Sequence, residues 1–241
     1  ETAEGGTESL RVRIYDLEGK CVASHAEPYE TKFMAGARAE QNAEDWWSSL
    51  VTATQICLKE ANISGDAIDA MAYATTCCTV VALDKNGAPL RPALMWMDVR
   101  ADKEAEAVLE TGDQRLILNG NGQGPVSAEW MIPKALWLKR NEPKIFDDAV
   151  TICEYQDYLT MRLTGERCAS LNNIGLRWHY ANRDGGWASG IVEKLGMPDL
   201  LEKWPSRVAA PGEVVGNLSG TAAAELGLST RTKLVQGGAD A

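Results

Sequence analysis

Residues 67–98 read AIDAMAYATTCCTVVALDKNGAPLRPALMWMD. Two short runs of small and apolar residues are followed by Lys85-Asn86-Gly87, and a third apolar run ends at Trp96 and Asp98. The pattern predicts strand, strand, turn and strand, with Asn-Gly as the hairpin turn. Upstream, Leu10, Val12, Ile14 and Val22 alternate with polar residues around Asp16–Lys20, which predicts a β-hairpin over 10–33. Between the two, residues 42–61 space Trp46, Trp47, Leu50, Val51, Thr54 and Leu58 as one face of a helix, with acids in its first turn. Downstream, residues 99–111 continue as a helix. Residues 127–140 predict another, capped by Ser127 and kinked or restarted at Pro133. Residues 154–163 predict a helix closed at Gly165, and residues 170–187 predict a loop rich in Asn and Gly. Short helices follow at 187–196 and 221–228, and a last strand over 232–238. Strands lead and helices interrupt, so the order predicts an α/β domain with a helical insertion.

Composition narrows the function. The 241 residues are 45% hydrophobic and 24% charged, as in ordinary globular proteins, and can enclose one large core or two modest ones. A formal net charge of -10 disfavours nucleic acid and anionic lipid, and suits a small substrate that is neutral when it binds. No apolar run has the length of a membrane span, and no signal peptide opens the chain. Cysteines at 21, 57, 77, 78, 153 and 168 form no CxxC pair, and adjacent Cys77 and Cys78 are poorly placed for a disulfide. Free thiols in a reducing cytoplasm are therefore expected. His25 and His179 have no G-x-S-x-G elbow to serve.

Four stretches hold candidate chemistry. Gly5-Gly6-Thr7 precedes a hairpin strand, and a turn of this kind can cradle phosphate through its N–H groups. Residues 92–101, PALMWMDVRA, place Trp96, Asp98 and Arg100 at a strand-to-helix junction, where α/β proteins put ligands. The spacing of Glu129, Trp130 and Lys134 lets them lie near one another across a turn of helix. The terminal Val235–Ala241, VQGGADA, reads as a strand running through paired glycines to deliver the Asp240 carboxylate to a cleft, with the sequence expected to continue beyond it. Each has a plain structural reading as well: an ordinary hairpin approach, a buried Trp with a capping Asp, an amphipathic helix, a helix cap.

Their order is more specific than any one of them. Gly5-Gly6-Thr7-x-Ser9-x-Arg11, then LDKNGAPLRPALMWMDVRA, PKALWLKRNEP, DYLTMRLTGE and LGLSTRTKLVQGGAD together resemble the FGGY carbohydrate kinases from end to end. The resemblance implies a ribonuclease H-like, actin-like ATPase fold. It makes residues 1–241 the N-terminal sugar-binding lobe and leaves a C-terminal nucleotide-binding lobe outside the sequence. It implies transfer of the ATP γ-phosphoryl group to a sugar or polyol hydroxyl in the cytoplasm, with ATP and Mg2+ as cofactors, and a homodimer is among the assemblies it allows. Asp240 is the implied general base. Gly6, Thr7 and Arg11 are implied to face the ATP phosphates, and Trp96 to wall the sugar pocket. Thr76, Cys77, Asp98, Glu129 and Lys134 complete the implied substrate contacts. The lobe by itself is expected to turn over no sugar.

The segment ATTCCTVVALDKNG resembles the D-A-T-C-S-x-V-V-L-D segment of ribulokinase-like members, and SAEWMIPK resembles their S-S-E-W-x-x-P-K. Thr76 and Cys77 stand where the glycerol branch has an Arg-Glu pair, and the Met-His or Gln-His pair of the xylulose branch is absent. A ketopentose such as ribulose is the implied substrate; a non-catalytic sugar-binding or sensor member is the alternative. One departure concerns the metal. The family's D-x-G-T reads Glu4-Gly5-Gly6-Thr7 here, so Glu4 is the implied Mg2+ residue. Only Glu1-Thr2-Ala3 precede it, which predicts that most of the family's first strand is missing.

Overall fold

The computed structural model describes residues 1–118 and 126–240. The chain begins as β1 (Thr2–Gly5), turns where the Gly6 N–H donates to the Ser9 carbonyl (3.0 Å), and returns as β2 (Ser9–Tyr15) and β3 (Cys21–Pro28). The first strand is thus present: four residues suffice because β1 lies between two neighbours, antiparallel to β2 and parallel to residues 70–75. Leu10, Val12 and Ile14 alternate onto the buried face of β2. A second hairpin, β4 (Lys32–Met34) and β5 (Arg38–Gln41), leads to α1 (Ala43–Ala61). The Asn42 side chain caps α1 by accepting the Glu44 N–H, and left-handed Asn62 ends it. Its stripe Trp46, Leu50, Ala53 and Cys57 is fully buried against β2 and β3.

The decisive stretch folds as read: β6 (Ala70–Thr75), β7 (Val80–Leu83) and β8 (Ala93–Leu94), with Asp84 accepting the N–H groups of Asn86 and Ala88 in the hairpin turn. After α2 (Asp102–Glu110), α3 (Met131–Asn141) starts later than predicted. Trp130 occupies its cap position, Pro133 sits in its first turn without kinking it, and the Ser127 hydroxyl accepts the Glu129 N–H in the preceding turn. Then come α4 (Pro143–Asp148), β9 (Thr151–Glu154), α5 (Tyr155–Thr164) closed by left-handed Gly165, and β10 (Cys168–Ser170). Residues 170–187 are not all loop, because α6 (Leu171–Arg177) occupies their first part. The chain finishes through α7 (Ser189–Lys194), α8 (Leu200–Lys203), β11 (Arg207–Ala209), β12 (Val214–Asn217), α9 (Gly220–Leu226) and β13 (Lys233–Val235).

The main sheet has the order β12-β13-β6-β1-β2-β3, and its three central strands β13, β6 and β1 are parallel. A second, antiparallel sheet has the order β4-β5-β8-β7-β9, while β10 and β11 pair separately. Two apolar cores result. One joins the main sheet to α1, α5 and α9, where Trp46 stacks on Tyr155 at 3.7 Å; the other gathers α2, α3, α4, α7 and α8, and is the helical insertion. Among the described residues, no helix is long and apolar enough to cross a membrane. All six cysteines are free.

Candidate functional site

The three parallel strands end side by side. Gly5 is in register with Thr75, and the Thr76 N–H donates to the Gly5 carbonyl at 3.0 Å. The line of β13 continues past Gln236 and the two glycines: Ala239 bridges to Thr75, and the Asp240 N–H donates to the Thr75 carbonyl at 3.0 Å. Gly237 is required by close approach, since a Cβ there would lie 1.7 Å from the Tyr73 carbonyl oxygen. A Cβ on Gly238 would meet Asn172 Oδ1 at 2.8 Å, and that same oxygen accepts the Ala239 N–H at 2.7 Å. The paired glycines therefore let the chain graze β6 and set the Asp240 carboxylate at the carboxyl ends of the strands, where α/β sheets hold ligands.

A cleft of about 330 Å³ opens there. The strand ends contribute Thr7, Thr76 and Asp240, and the loop after β6 adds Cys77 and Cys78. Trp96, Glu129 and Arg177 close the sides. The Trp96 indole N–H donates to Thr7 Oγ1 at 3.0 Å, joining the wall of the cleft to the glycine turn. The Thr76 hydroxyl is buried and has no protein partner, so it is available to a ligand hydroxyl. Burial raises the Asp240 carboxyl above its usual range, and the charge of Glu4 raises it further. A raised pKa suits a group that takes up a proton.

Two predicted contacts lie outside this cleft. Asp98 is fully buried; its carboxylate accepts the Ala39 N–H at 2.7 Å, the Arg100 backbone N–H at 3.0 Å and two hydrogen bonds from the Arg100 guanidinium, at 2.9 and 2.7 Å. Burial alone would raise it, but these partners hold it below the usual carboxylate range. Lys134 is also fully buried. Its Nζ donates to the carbonyls of Cys78 (2.7 Å) and Met95 (2.6 Å), behind the cleft, so it fixes two of the backbone segments that form the lining. Both corrections have one cause: a helix or strand end places an ionic side chain near a site, but the nearest unpaired backbone or counter-charge captures it. Glu4, on β1, stands opposite Arg11 on β2, with carboxylate-to-guanidinium distances of 3.7 Å to Arg11 and 3.6 Å to Arg13. Gly6 spends its N–H on the hairpin turn.

Burial lowers the Lys134 ammonium from 10.5 to about 8. Between these values the unfolded chain binds more protons than the folded one, so Lys134 makes stability rise with pH across that window, by at most about 1.4 kcal/mol per pH unit. Urea unfolding at both ends of the window is expected to show this rise in the native protein and a flatter profile in Lys134→Met. Equal slopes would refute it.

Sequence reasoning missed Arg177 and Cys78 in the lining. Arg177 ends α6 and lies over the Trp130 ring at 5.3 Å. A signal was present, because Leu171, Ile174 and Trp178 have i, i+3, i+7 spacing, but two Asn and a Gly within the same turns read as loop.

This architecture is the actin-like ATPase fold. The crystal structure of xylulose kinase from Rhodospirillum rubrum superposes on it with a TM-score of 0.87 at 25% identity, over 99% of this chain and 48% of that one. Residues 4–241 match the FGGY family of carbohydrate kinases, N-terminal domain, and the chain belongs to that family. A xylulose kinase from Bacillus subtilis is 27% identical over 243 residues, which is 98% of this chain and 46% of that protein. A D-ribulokinase from Saccharomyces cerevisiae is 26% identical over 262 residues, 98% of this chain and 36% of that protein. The chain thus spans less than half the length of these curated relatives.

Proposed function

We propose that residues 1–241 are the sugar-binding lobe of a kinase that transfers the γ-phosphoryl group of ATP to a hydroxyl of a ketopentose such as ribulose, with a C-terminal nucleotide-binding lobe completing the site. The observation that carries this reading is the meeting of Thr7, the unpartnered Thr76 hydroxyl and the Asp240 carboxylate at three parallel strand ends in a carbohydrate-kinase family member. Asp240 takes the proton of the attacking hydroxyl. Thr76, Cys77, Glu129 and Arg177 offer polar contacts to the sugar, against the Trp96 wall. We assign Thr7 and Arg11 to the ATP phosphates, with Gly6, whose N–H closes the hairpin turn, shaping the backbone beside them. Positioning in a drier, closed cleft supplies most of the rate.

Glu4 suits Mg2+: its carboxylate is about half exposed, and its charge bears on Asp240, a repulsion that a cation relieves. Glu4 would hold the ion together with phosphate oxygens and water. Bound Mg2+ supplies neutralisation of phosphate charge.

A sugar sensor without turnover is the second reading. It is favoured by the two arginines beside Glu4, which compete with a cation for its charge. Calorimetric binding of ribulose, xylulose, ribitol and glycerol, with an ATP-consumption assay of the two-lobe protein, separates the two. Ribulose binding with turnover supports the kinase, binding without turnover supports the sensor, and absence of pentulose binding sinks both. Trp96→Ala is expected to weaken pentulose binding by about tenfold, about 1.4 kcal/mol, through loss of the apolar wall.

A further inference from the structure

We propose that Cys77 and Cys78 form a chelating dithiol in the wall of the cleft, a site for trivalent arsenicals. In an extended strand, neighbouring side chains point to opposite faces. Here Cys78 adopts φ +66, a left-handed conformation uncommon outside glycine, and both thiols line the same cleft with their sulfurs 3.7 Å apart. The Lys134 ammonium holds the Cys78 carbonyl from behind, so the arrangement is fixed before any ligand arrives.

The same geometry disfavours direct oxidation. Adjacent Cα atoms are about 3.8 Å apart across a trans peptide, short of the roughly 4.4–6.8 Å usual for a disulfide. A single bridging atom avoids that strain. The two sulfurs differ in protonation. A hydrogen bond from Cys78 holds the Cys77 thiol below its usual range, and Arg177 lowers it further, while Cys78 is raised. One sulfur is thus disposed to attack and the other to deliver a proton. Two S–As bonds form, the arsenic–oxygen bonds break, and the two thiol protons leave with that oxygen as water; arsenic stays trivalent and sulfur is not oxidised. The other four cysteines offer no such pair: the Cys21, Cys57 and Cys168 thiols each donate to a backbone carbonyl, and Cys153 is buried in the first core.

The proposal does not depend on the kinase reading, and its test uses no sugar or nucleotide. The native protein is treated with equimolar phenylarsine oxide and weighed intact by mass spectrometry. One adduct is expected; it survives excess mercaptoethanol, is stripped by dimercaptopropanol, and maps after digestion to the peptide holding residues 77 and 78. Cys77→Ser and Cys78→Ser are each expected to lose the monothiol-resistant adduct, while Cys21→Ser retains it. Absence of an adduct, an adduct on another peptide, or one that mercaptoethanol removes overturns the proposal. The mapping decides the matter even if a variant misfolds.

Discussion

Asp240→Asn is expected to lower sugar phosphorylation by the two-lobe protein about 10²- to 10⁴-fold, the usual contribution of a positioned general base. The amide keeps the size of the side chain, and the backbone N–H to the Thr75 carbonyl is untouched, so the strand end stays in place. What is lost is the capacity to take a proton. Sugar affinity should change by only a few fold, because Thr76, Cys77, Trp96, Glu129 and Arg177 remain. The pH profile gives a second readout. Burial raises the Asp240 carboxyl, so the acid limb of kcat/KM should fall above the ordinary range of an aspartate. Activity of Asp240→Asn within about tenfold of the native protein would remove Asp240 from the chemistry.

Gly237→Ala is expected to be strongly damaging. Its Cβ would sit 1.7 Å from the Tyr73 carbonyl oxygen. That oxygen belongs to β6, which is held by β1 on one side and β13 on the other, and it accepts the Gln156 side-chain amide at 3.1 Å. The two severe contacts are with the Tyr73 backbone rather than a flexible side-chain tip, so the strand end carrying Asp240 must move. Overpacking of this kind costs about 1–3 kcal/mol and sometimes more. For a domain of this size, about 3 kcal/mol corresponds to a fall in Tm of roughly 6–12 °C. Gly220→Ala serves as the control, because a Cβ there meets nothing within 4 Å at the start of α9; its Tm should be nearly unchanged. Equal melting of the two variants in calorimetry would refute the close-approach argument.

Much of the fold was written in local pattern. The alternation of Leu10, Val12 and Ile14, the helical stripe of α1 with acids in its first turn, the Asn-Gly turn after Asp84 and the glycine closing α5 are signals within a few residues, and the structure forms each where they predict it. Short elements escaped. β4, β10 and β11 have three residues each, too few for a period, and they are strands only because a neighbour supplies hydrogen bonds. Residues 171–177 form a helix against the Asn and Gly propensities because Ile174 and Trp178 bury in the second core.

The site divides in the same way. Glycines before Thr7 and Asp240 and a tryptophan just past the third strand of residues 67–98 were legible in the chain alone, since turn chemistry and strand period are properties of neighbours along it. Only the tertiary structure decided that Thr76 keeps an unpaired hydroxyl in the cleft while Asp98 and Lys134 are taken by Arg100 and by two carbonyls. Only it brought Arg177 beside Cys77, two residues a hundred positions apart. Whether a polar group faces a ligand or is consumed by the scaffold depends on which unsatisfied donor or acceptor lies within about 3 Å of it, and long-range packing sets that distance.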